Sequence, residues 1–408
     1  MKNNKWLQTY LFIWSGQFIS MLSSYAVHFA VIIWMSLEHQ SAEVLAYAGI
    51  AGMLPQAIVG PFAGVFIDRW DRKKVMIFSD AFLALCALVM VFLLKSETVD
   101  LIWIYLMLGL RSIGNAFHAP AMQAIAPLIV PKDELLRISG INQMLQSVSS
   151  IAGPAIGALA ISYLPISQVL YLDVLGAAAA IISLLFVSIP HVQSSSDSSV
   201  RMVLLELGDG MRAIRKNKGL SFLFLYAMLV TFFIMPAAIM FPLLTTGHYG
   251  GGKWEMSVVE IVWGIGMLIG GTLLSAGRVR TRKVILVNAM HLILGLSFVV
   301  CGWMPSSWFI GLILATMLSG IALAVFSAAF TAILQTEVAP QMLGRVFSLY
   351  FSMAALPSVV GLIFTGWIAE EIGVPEAFVI TGILVMLIGL ASFLTPSLLR
   401  LGKERVAE

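Results

Sequence analysis

Long apolar runs separated by short polar segments account for most of the chain. Six runs lie in the first half, at about 7–35, 42–67, 75–95, 100–127, 137–164 and 167–189. Six more lie in the second half, at about 219–246, 256–278, 284–304, 307–334, 343–369 and 375–399. A helix needs about 20 apolar residues to cross the hydrocarbon core of a bilayer. The pattern therefore predicts an all-α membrane protein with twelve transmembrane helices.

The composition agrees with a chain whose solvent is the lipid bilayer. Of its 408 residues, 60% are hydrophobic and 11% are charged, against roughly 25% charged residues in soluble domains. The net charge of +3 is small, so nucleic acid is not expected as a partner. Cys86 and Cys301 both lie in apolar runs and imply no disulfide framework. The first apolar run exceeds the length of a signal peptide, so we expect it to be retained as a helix.

Basic residues concentrate in alternate connections between the apolar runs. If the N-terminus is cytoplasmic, 21 of the 24 Lys and Arg residues fall on cytoplasmic segments. The three others are Lys95 and Lys253, which would face outward, and Arg111, which lies inside a run. Positive residues favour the cytoplasmic side of a membrane. The distribution predicts that both termini are cytoplasmic.

The two halves of the chain resemble each other at a shift of about 210 residues. Matching pairs are Gly60 with Gly270, Arg72 with Arg282, and Lys73 with Lys283. Internal duplication of this kind is typical of secondary transporters, with a binding site between the repeats. The sequence predicts an N-terminal six-helix bundle at 1–190, a cytoplasmic linker at 191–217 and a C-terminal six-helix bundle at 218–408.

The linker contains a segment, residues 200–215, in which apolar and charged positions alternate with helical spacing. Such a segment can lie on the cytoplasmic membrane surface as an amphipathic helix. A solvated tether with some helix is the alternative, and Gly208 and Gly210 favour it.

The connection between the second and third runs, residues 60–74, is unusually charged. Gly60 and Gly64 are one helical turn apart, and small residues at this spacing permit close helix packing in membranes. The charged residues that follow are Asp68, Arg69, Asp71, Arg72, Lys73 and Lys74. We expect this turn to lie at the cytoplasmic membrane surface.

A few ionisable residues fall inside the apolar runs. Arg111 lies about eleven residues into its run, where a cation costs a few kcal/mol unless it faces a cavity or a partner. It is predicted to serve proton or substrate coupling, with a structural ion bridge inside the N-terminal half as the alternative. Asp173 and Glu260 are predicted to share a cavity and to include a proton carrier, because burial favours a protonated acid. The alternative is solvated interfacial acids.

Other polar residues in the runs have less prominent expected roles. Asp80 is expected to pair with the bases of residues 60–74. His28, His118 and His291 are expected to be hydrogen-bonded packing residues. Large side chains predicted to line a cavity for a lipophilic substrate are Tyr25, Phe29, Phe117, Phe233, Met235, Trp263 and Phe330.

The sequence contains no pattern that indicates an enzyme. It has no G-x-x-x-x-G-K-[ST] phosphate loop, no Cys/His cluster with metal spacing, and no visible nucleophile–base arrangement. The glycines of residues 264–271 lie within an apolar run and indicate helix packing. We therefore expect no catalytic site, no cofactor and no metal site.

Three motifs resemble those of the major facilitator superfamily. Gly64-x-x-x-Asp68-Arg69-x-x-Arg72-Lys73 resembles its loop 2–3 signature, although Trp70 and Asp71 replace residues that are usually small. Arg111-x-x-Gly114 resembles its span-four motif with the glycine one place early. Gly153-Pro154-x-x-Gly157 resembles the motif of its drug–proton antiporters, with Ala158 in the last position. The segments 111–120 (RSIGNAFHAP) and 344–349 (GRVFSL) resemble the bacterial macrolide-efflux branch.

This resemblance implies specific roles for the matching residues. Asp68, Arg69 and Arg72 would form a cytoplasmic gate, with the acid at the N-terminus of the eleventh helix; a topology anchor without moving parts is the alternative. Gly153, Pro154 and Gly157 would serve coupling and leak prevention, and their glycines would pack against a helix of the other half; an ordinary proline kink is the alternative.

The resemblance also implies a function. The chain would be a monomeric secondary transporter of the bacterial plasma membrane, exporting a lipophilic or amphiphilic small molecule in exchange for protons through alternating access. A macrolide-like drug is the favoured substrate. The alternatives are export of an endogenous metabolite such as a siderophore, uptake of a nutrient, and a non-transporting receptor on the same fold.

Overall fold

The computed structural model of the chain describes residues 5–95, 100–131, 134–189, 200–275, 282–338 and 343–401, and every regular element in these ranges is a helix. The first half contains α1 (Lys5–His39), α2 (Ala42–Arg69), α3 (Arg72–Leu93), α4 (Leu101–Ile129), α5 (Leu135–Tyr163), α6 (Ile166–Val169) and α7 (Tyr171–Leu185). The connection contains α8 (Val200–Lys216). The second half contains α9 (Lys218–Ile239), α10 (Phe241–Leu243), a π-helical turn (Leu244–His248), α11 (Lys253–Ser275), α12 (Lys283–Trp303), α13 (Phe309–Glu337), α14 (Leu343–Ile372), α15 (Val374–Phe393) and α16 (Pro396–Leu399).

The helices are long and apolar, as the hydropathy pattern predicts. Within the described residues, ten segments are long and apolar enough to cross a membrane. The all-α membrane class is therefore confirmed. In a bilayer, a helix satisfies its own backbone hydrogen bonds, which accounts for the lack of any other regular element in these ranges.

The chain forms two compact units. The first unit contains Met1–Trp34 and Ile50–Val203, and the second contains Met35–Gly49 and Leu204–Glu408. The end of α1 and the start of α2 therefore belong to the second unit. There, Ser41 Oγ donates a hydrogen bond to Glu370 near the end of α14, at 2.6 Å. The predicted bounds of the two six-helix bundles stay a prediction.

Corresponding helices start at nearly constant separations along the chain. The starts of α11, α12, α13 and α14 follow those of α2, α3, α4 and α5 by 208 to 211 residues. This spacing agrees with the internal repeat at a shift of about 210.

One basic residue near the start of α3 and one just before α12 bind backbone carbonyls near the end of their own half of the chain. Lys73 Nζ donates to the Val187 carbonyl beyond α7 at 2.8 Å. The Arg282 guanidinium donates to the carbonyls of Leu399 and Leu401 at the end of α16. Unpaired carbonyls at a helix C-terminus carry partial negative charge, which a base stabilises. These bases of the repeated motif therefore have a structural task within each unit.

Polar residues in the turns cap the helices that follow them. Asp71 accepts a hydrogen bond from the Lys74 backbone N–H at 3.1 Å and begins α3. Asp100 caps α4 in the same way, and Asn217 caps α9. Such caps satisfy backbone donors that have no partner inside the helix. The cap explains why an acid at position 71 suits this turn.

Glycines on α5 bring its backbone against α1. A Cβ atom added at Gly157 would lie 2.0 Å from the Ala26 carbonyl oxygen, and one at Gly153 would lie 2.4 Å from Tyr25 Cβ. Only glycine fits at such an approach. The prediction that these glycines pack against a helix of the other half is wrong, because α1 supplies the contact within the first unit.

The glycines of the matched pair at 60 and 270 differ. No atom of the described structure lies within 4 Å of a Cβ built at Gly60. The close helix packing predicted for Gly60 and Gly64 stays a prediction. A Cβ at Gly270 would lie 2.6 Å from the Ile321 carbonyl, and one at Gly266 would lie 2.2 Å from the Met317 carbonyl. These contacts confirm helix packing for Gly266 and Gly270, here against α13, whereas a Cβ built at Gly271 meets no described atom within 4 Å.

Each unit has its own hydrophobic core. That of the first unit includes Tyr10 and Trp14, whose rings stack at 4.3 Å. That of the second unit includes Phe224 and Phe330, and the described part of α8 contributes Ile214, which is 3% exposed. Residues 200–216 are thus helical, in spite of Gly208 and Gly210. Their predicted place on a membrane surface stays a prediction.

Candidate functional site

A polar cavity of about 670 Å³ lies inside the first unit. Helices α1 to α5 supply its wall. Its polar lining residues are Ser20, Ser24, Tyr25, His28, Gln56, Asp80, Arg111, Ser112, Asn115, His118, Asn142 and Gln146. Methionines and leucines supply most of the apolar remainder. This volume is within the range of small-molecule sites, about 300–1,000 Å³.

A buried ion pair joins four helices beside the cavity. The Arg111 guanidinium on α4 binds the Asp173 carboxylate on α7, and both side chains are nearly inaccessible to solvent. Arg111 also donates to the Leu83 carbonyl on α3 at 3.4 Å, and Ser24 on α1 donates to Asp173 at 2.6 Å. The cation in the apolar run therefore has the acid partner that its burial requires.

A second polar cluster lies further along α1, α3 and α4. Asp80 is fully buried. It accepts hydrogen bonds from Gln17 Nε2 and Ser20 Oγ, both at 3.2 Å, and its Oδ1 lies 3.2 Å from His118 Nε2. Gln17 Oε1 in turn lies 3.0 Å from His118 Nε2. We call Gln17, Ser20, Asp80 and His118 the Asp80 cluster.

The structure corrects the expectation that Asp80 pairs with the bases of residues 60–74. Helix α3 begins at Arg72, so Asp80 is eight residues further along, roughly 12 Å at 1.5 Å per residue. At that depth Asp80 faces α1 and α4, and the residues that bind it are Gln17, Ser20 and His118.

Both clusters follow from a seven-residue spacing of polar side chains. On α1, Tyr10, Gln17 and Ser24 repeat at this interval, and Tyr10 donates to Asn142 of α5 at 2.5 Å. On α4, Arg111 and His118 do the same. Seven residues are close to two helical turns, so such residues share a face about 10 Å apart. The polar groups therefore form successive layers along one wall of the unit.

Sequence reasoning missed Gln17 and Asn142, and it assigned His118 a packing role. A signal for Gln17 was present, because polar residues recur every seven positions in an otherwise apolar first helix. Asn142 has no such signal, since its partner Tyr10 is 132 residues away in the chain.

The predicted substrate-cavity residues of the first unit are in different surroundings. Tyr25 lines the cavity. Phe29 is half-buried on α1. Phe117 packs against the hydrophobic core of the unit and stacks on Trp70 at 6.2 Å. Of these residues, the structure brings only Tyr25 into this cavity wall.

The predicted cavity residues of the second unit lie on three helices. Phe330 on α13 belongs to the hydrophobic core, 4.6 Å from the Tyr350 ring. Phe233 and Met235 are half-buried on α9, and Trp263 is half-buried on α11. Their contact with a substrate stays a prediction.

The remaining predicted site residues are not tested by the geometry. Glu260 is half-buried on α11 in the second unit, and a cavity shared with Asp173 stays a prediction. The surroundings of Gly64 and the side chains of Asp68 and Arg69 lie outside the described part of the structure, so the cytoplasmic gate also stays a prediction. Arg72 is the first residue of α3.

Comparison with known proteins matches the chain to a family of membrane transporters and to efflux proteins. Residues 13–298 match the Major Facilitator Superfamily. The chain is 35% identical to Macrolide efflux protein A of Streptococcus pyogenes, over 95% of this chain and 96% of that protein. It is 24% identical to the Multidrug efflux pump Tap of Mycolicibacterium fortuitum, over 90% of each chain.

Solved structures share the fold. The inward-facing, unoccupied structure of a bacterial homolog to the human lysosomal transporter Spinster has a TM-score of 0.73 and 14% sequence identity, covering 98% of each chain. At this identity the likeness concerns the fold alone.

Proposed function

This chain belongs to the Major Facilitator Superfamily, and we propose that it is a secondary transporter that exports a macrolide-like or other amphiphilic drug by proton antiport. Its efflux relatives make it a member of a transporter family, which confirms that it is not an enzyme. The cavity in the first unit is the observation that carries the proposal, since it combines ligand-sized volume with buried charge.

The charge in the cavity wall favours a neutral or singly charged substrate. Among the lining residues that the structure describes, Arg111 is the one arginine or lysine, and Asp173 already binds it. A polyanion would require several free bases. The lining instead offers hydroxyl, amide and imidazole groups together with methionine and leucine, which suits an amphiphilic compound.

The proposed topology has twelve spans. Ten apolar spans are long enough to cross a membrane, and helices α4 and α14, with 29 and 30 residues, are the proposed eleventh and twelfth. With both termini cytoplasmic, the positive residues lie on the side that they favour. We place the protein in a bacterial plasma membrane as a monomer that works by alternating access, with Asp68, Arg69 and Arg72 as the cytoplasmic gate.

Arg111, Asp173 and Glu260 are the proposed coupling residues. The ion pair between the first two lies beside the cavity, where substrate binding can act on it. Gly153, Pro154 and Gly157 support coupling by holding α5 against α1, which supplies part of the cavity wall.

The substrate class is tested by a drug-susceptibility screen. An efflux-deficient bacterial strain that expresses the protein should tolerate a higher concentration of erythromycin than the same strain with an empty vector. It should also retain less labelled erythromycin, because the drug is pumped out. The screen includes other lipophilic drugs and metal-chelating siderophores.

Each outcome of this screen separates the candidate functions. Resistance limited to macrolides supports the proposed substrate. Export of a siderophore without drug resistance would replace the drug with an endogenous metabolite. Unchanged flux of every compound would contradict transport and favour a receptor on the same fold.

A further inference from the structure

The Asp80 cluster contains a carboxylate that no arginine or lysine neutralises among the described contacts. The groups that bind Asp80 are the Gln17 amide, the Ser20 hydroxyl and the His118 imidazole. Asp173, by contrast, is bound by the Arg111 guanidinium. A fully buried carboxylate without a permanent cation is costly unless a titratable group can supply one.

The hydrogen bonds fix the proton on one nitrogen of His118. Gln17 Nε2 donates to Asp80, so Gln17 Oε1 is the end of that amide that faces His118. The reverse orientation would set Oε1 against the carboxylate. His118 Nε2 therefore lies beside two acceptors, Asp80 Oδ1 at 3.2 Å and Gln17 Oε1 at 3.0 Å. This nitrogen must carry a proton, and Nδ1 is the nitrogen that accepts a second one.

The net charge of the ionisable groups around the Asp80 cluster depends on whether His118 is protonated. Arg111 and Asp173 cancel each other. Asp80 with neutral His118 leaves a charge of −1, and Asp80 with protonated His118 leaves zero. The other titratable groups that face the cavity from α1 are Tyr25 and His28. A single proton therefore neutralises the charged groups of the wall.

We propose that Asp80 and His118 are the site at which the cavity holds the exchanged proton, and that Gln17 is a positioning residue for both. The inference rests on the proposed antiport and names the group that carries its proton. His118 Nδ1 takes up the proton from the cavity, and an imidazolium–carboxylate pair forms. The N–H bond forms as an O–H bond of a hydronium ion breaks and leaves water, and the reverse step returns the proton to water.

Gln17 has a separate task in this site. Its amide binds Asp80 with one end and His118 with the other. It therefore holds the carboxylate against Nε2, which leaves Nδ1 as the nitrogen that can accept the second proton. Ser20, one turn further along α1, donates to the other carboxylate oxygen, Asp80 Oδ1, which is the oxygen that faces His118.

The test counts protons that the full-length protein takes up in detergent. A weakly buffered sample is moved stepwise across about pH 8 to pH 5, the range in which histidine titrates. Asp80→Asn and His118→Gln should each take up about one proton fewer per chain than the wild type. The first variant would bury an imidazolium without its carboxylate, and the second has no imidazole to protonate. Asp209→Asn is the matched control, since Asp209 is bound to Arg212 on α8.

The results decide between the proton site and a packing cluster. Equal proton uptake by the wild type, Asp80→Asn and His118→Gln, with all three folded, would overturn the proposal. If Asp80→Asn does not fold, His118→Gln gives the same decision. Gln17→Ala should keep the number of protons and move the pH at which uptake is half complete. No movement of that pH would show that Gln17 does not position the site.

Transport separates this proposal from the proposed function. In proteoliposomes, Asp80→Asn should lose the accumulation of labelled erythromycin that a pH gradient drives, whereas the control Asp209→Asn should keep it. Accumulation as in the wild type would overturn the proton site. If the wild type moves no erythromycin, the macrolide proposal fails, and proton uptake still decides whether Asp80 and His118 bind the proton.

Discussion

The ion pair between Arg111 and Asp173 is a buried charged contact of the first unit. Both residues are buried, and Ser24 and the Leu83 carbonyl complete their hydrogen bonds. A buried pair repays its desolvation only while both partners are present. Its energetic role is therefore visible in a comparison of single and double substitutions.

Removal of one partner should be more damaging than removal of both. Arg111→Met or Asp173→Leu alone leaves a buried charge, at a cost of about 3–5 kcal/mol. The double variant should recover most of that loss, because two apolar side chains replace the pair. Thermal unfolding in detergent measures the three variants. A double variant as unstable as the sum of the singles would contradict this account.

At the scale of helices, close packing of α5 on α1 depends on single glycines. Gly157 meets the Ala26 carbonyl at a distance that no Cβ tolerates, whereas a Cβ at Gly60 of α2 meets no described atom. A glycine-to-alanine substitution would therefore meet a close neighbour at position 157 and no described neighbour at position 60.

Gly157→Ala should separate α5 from α1 and lower both stability and transport. Overpacking of this kind costs about 1–3 kcal/mol. Gly60→Ala is the matched control and should be neutral or stabilising by up to about 1 kcal/mol, because alanine is the better helix former. Thermal unfolding and erythromycin efflux measure both variants. Equal behaviour of the two would show that the close approach of α5 has no energetic role.

The helices themselves could be predicted from the sequence because hydropathy and length are local properties. The residues that each helix contacts in the fold could not be predicted in this way. Asp80 was expected to bind nearby bases, yet its partner Gln17 lies 63 residues away. Gly157 was assigned to a helix of the other half, yet it contacts α1. Which faces meet depends on the whole fold, and a single sequence gives no direct measure of it.

At the scale of the whole molecule, the repeat organises both halves in the same way. Corresponding helices begin 208 to 211 residues apart, and one base of each copy of the repeated motif, Lys73 or Arg282, binds backbone carbonyls near the end of its half. The described ion pair and polar cavity lie in the first unit. The predicted gate acid, Asp68, also occurs only in the first copy of its motif, since Arg278 is at the matching position.

The central claim is that a proton gradient drives export of an amphiphilic drug. Everted membrane vesicles that contain the protein are energised to acidify their interior, and uptake of labelled erythromycin is recorded before and after an ionophore removes the pH gradient. Labelled erythromycin should accumulate in the vesicles, and this accumulation should stop and reverse when the gradient is removed. Accumulation that continues unchanged without the gradient would contradict proton antiport.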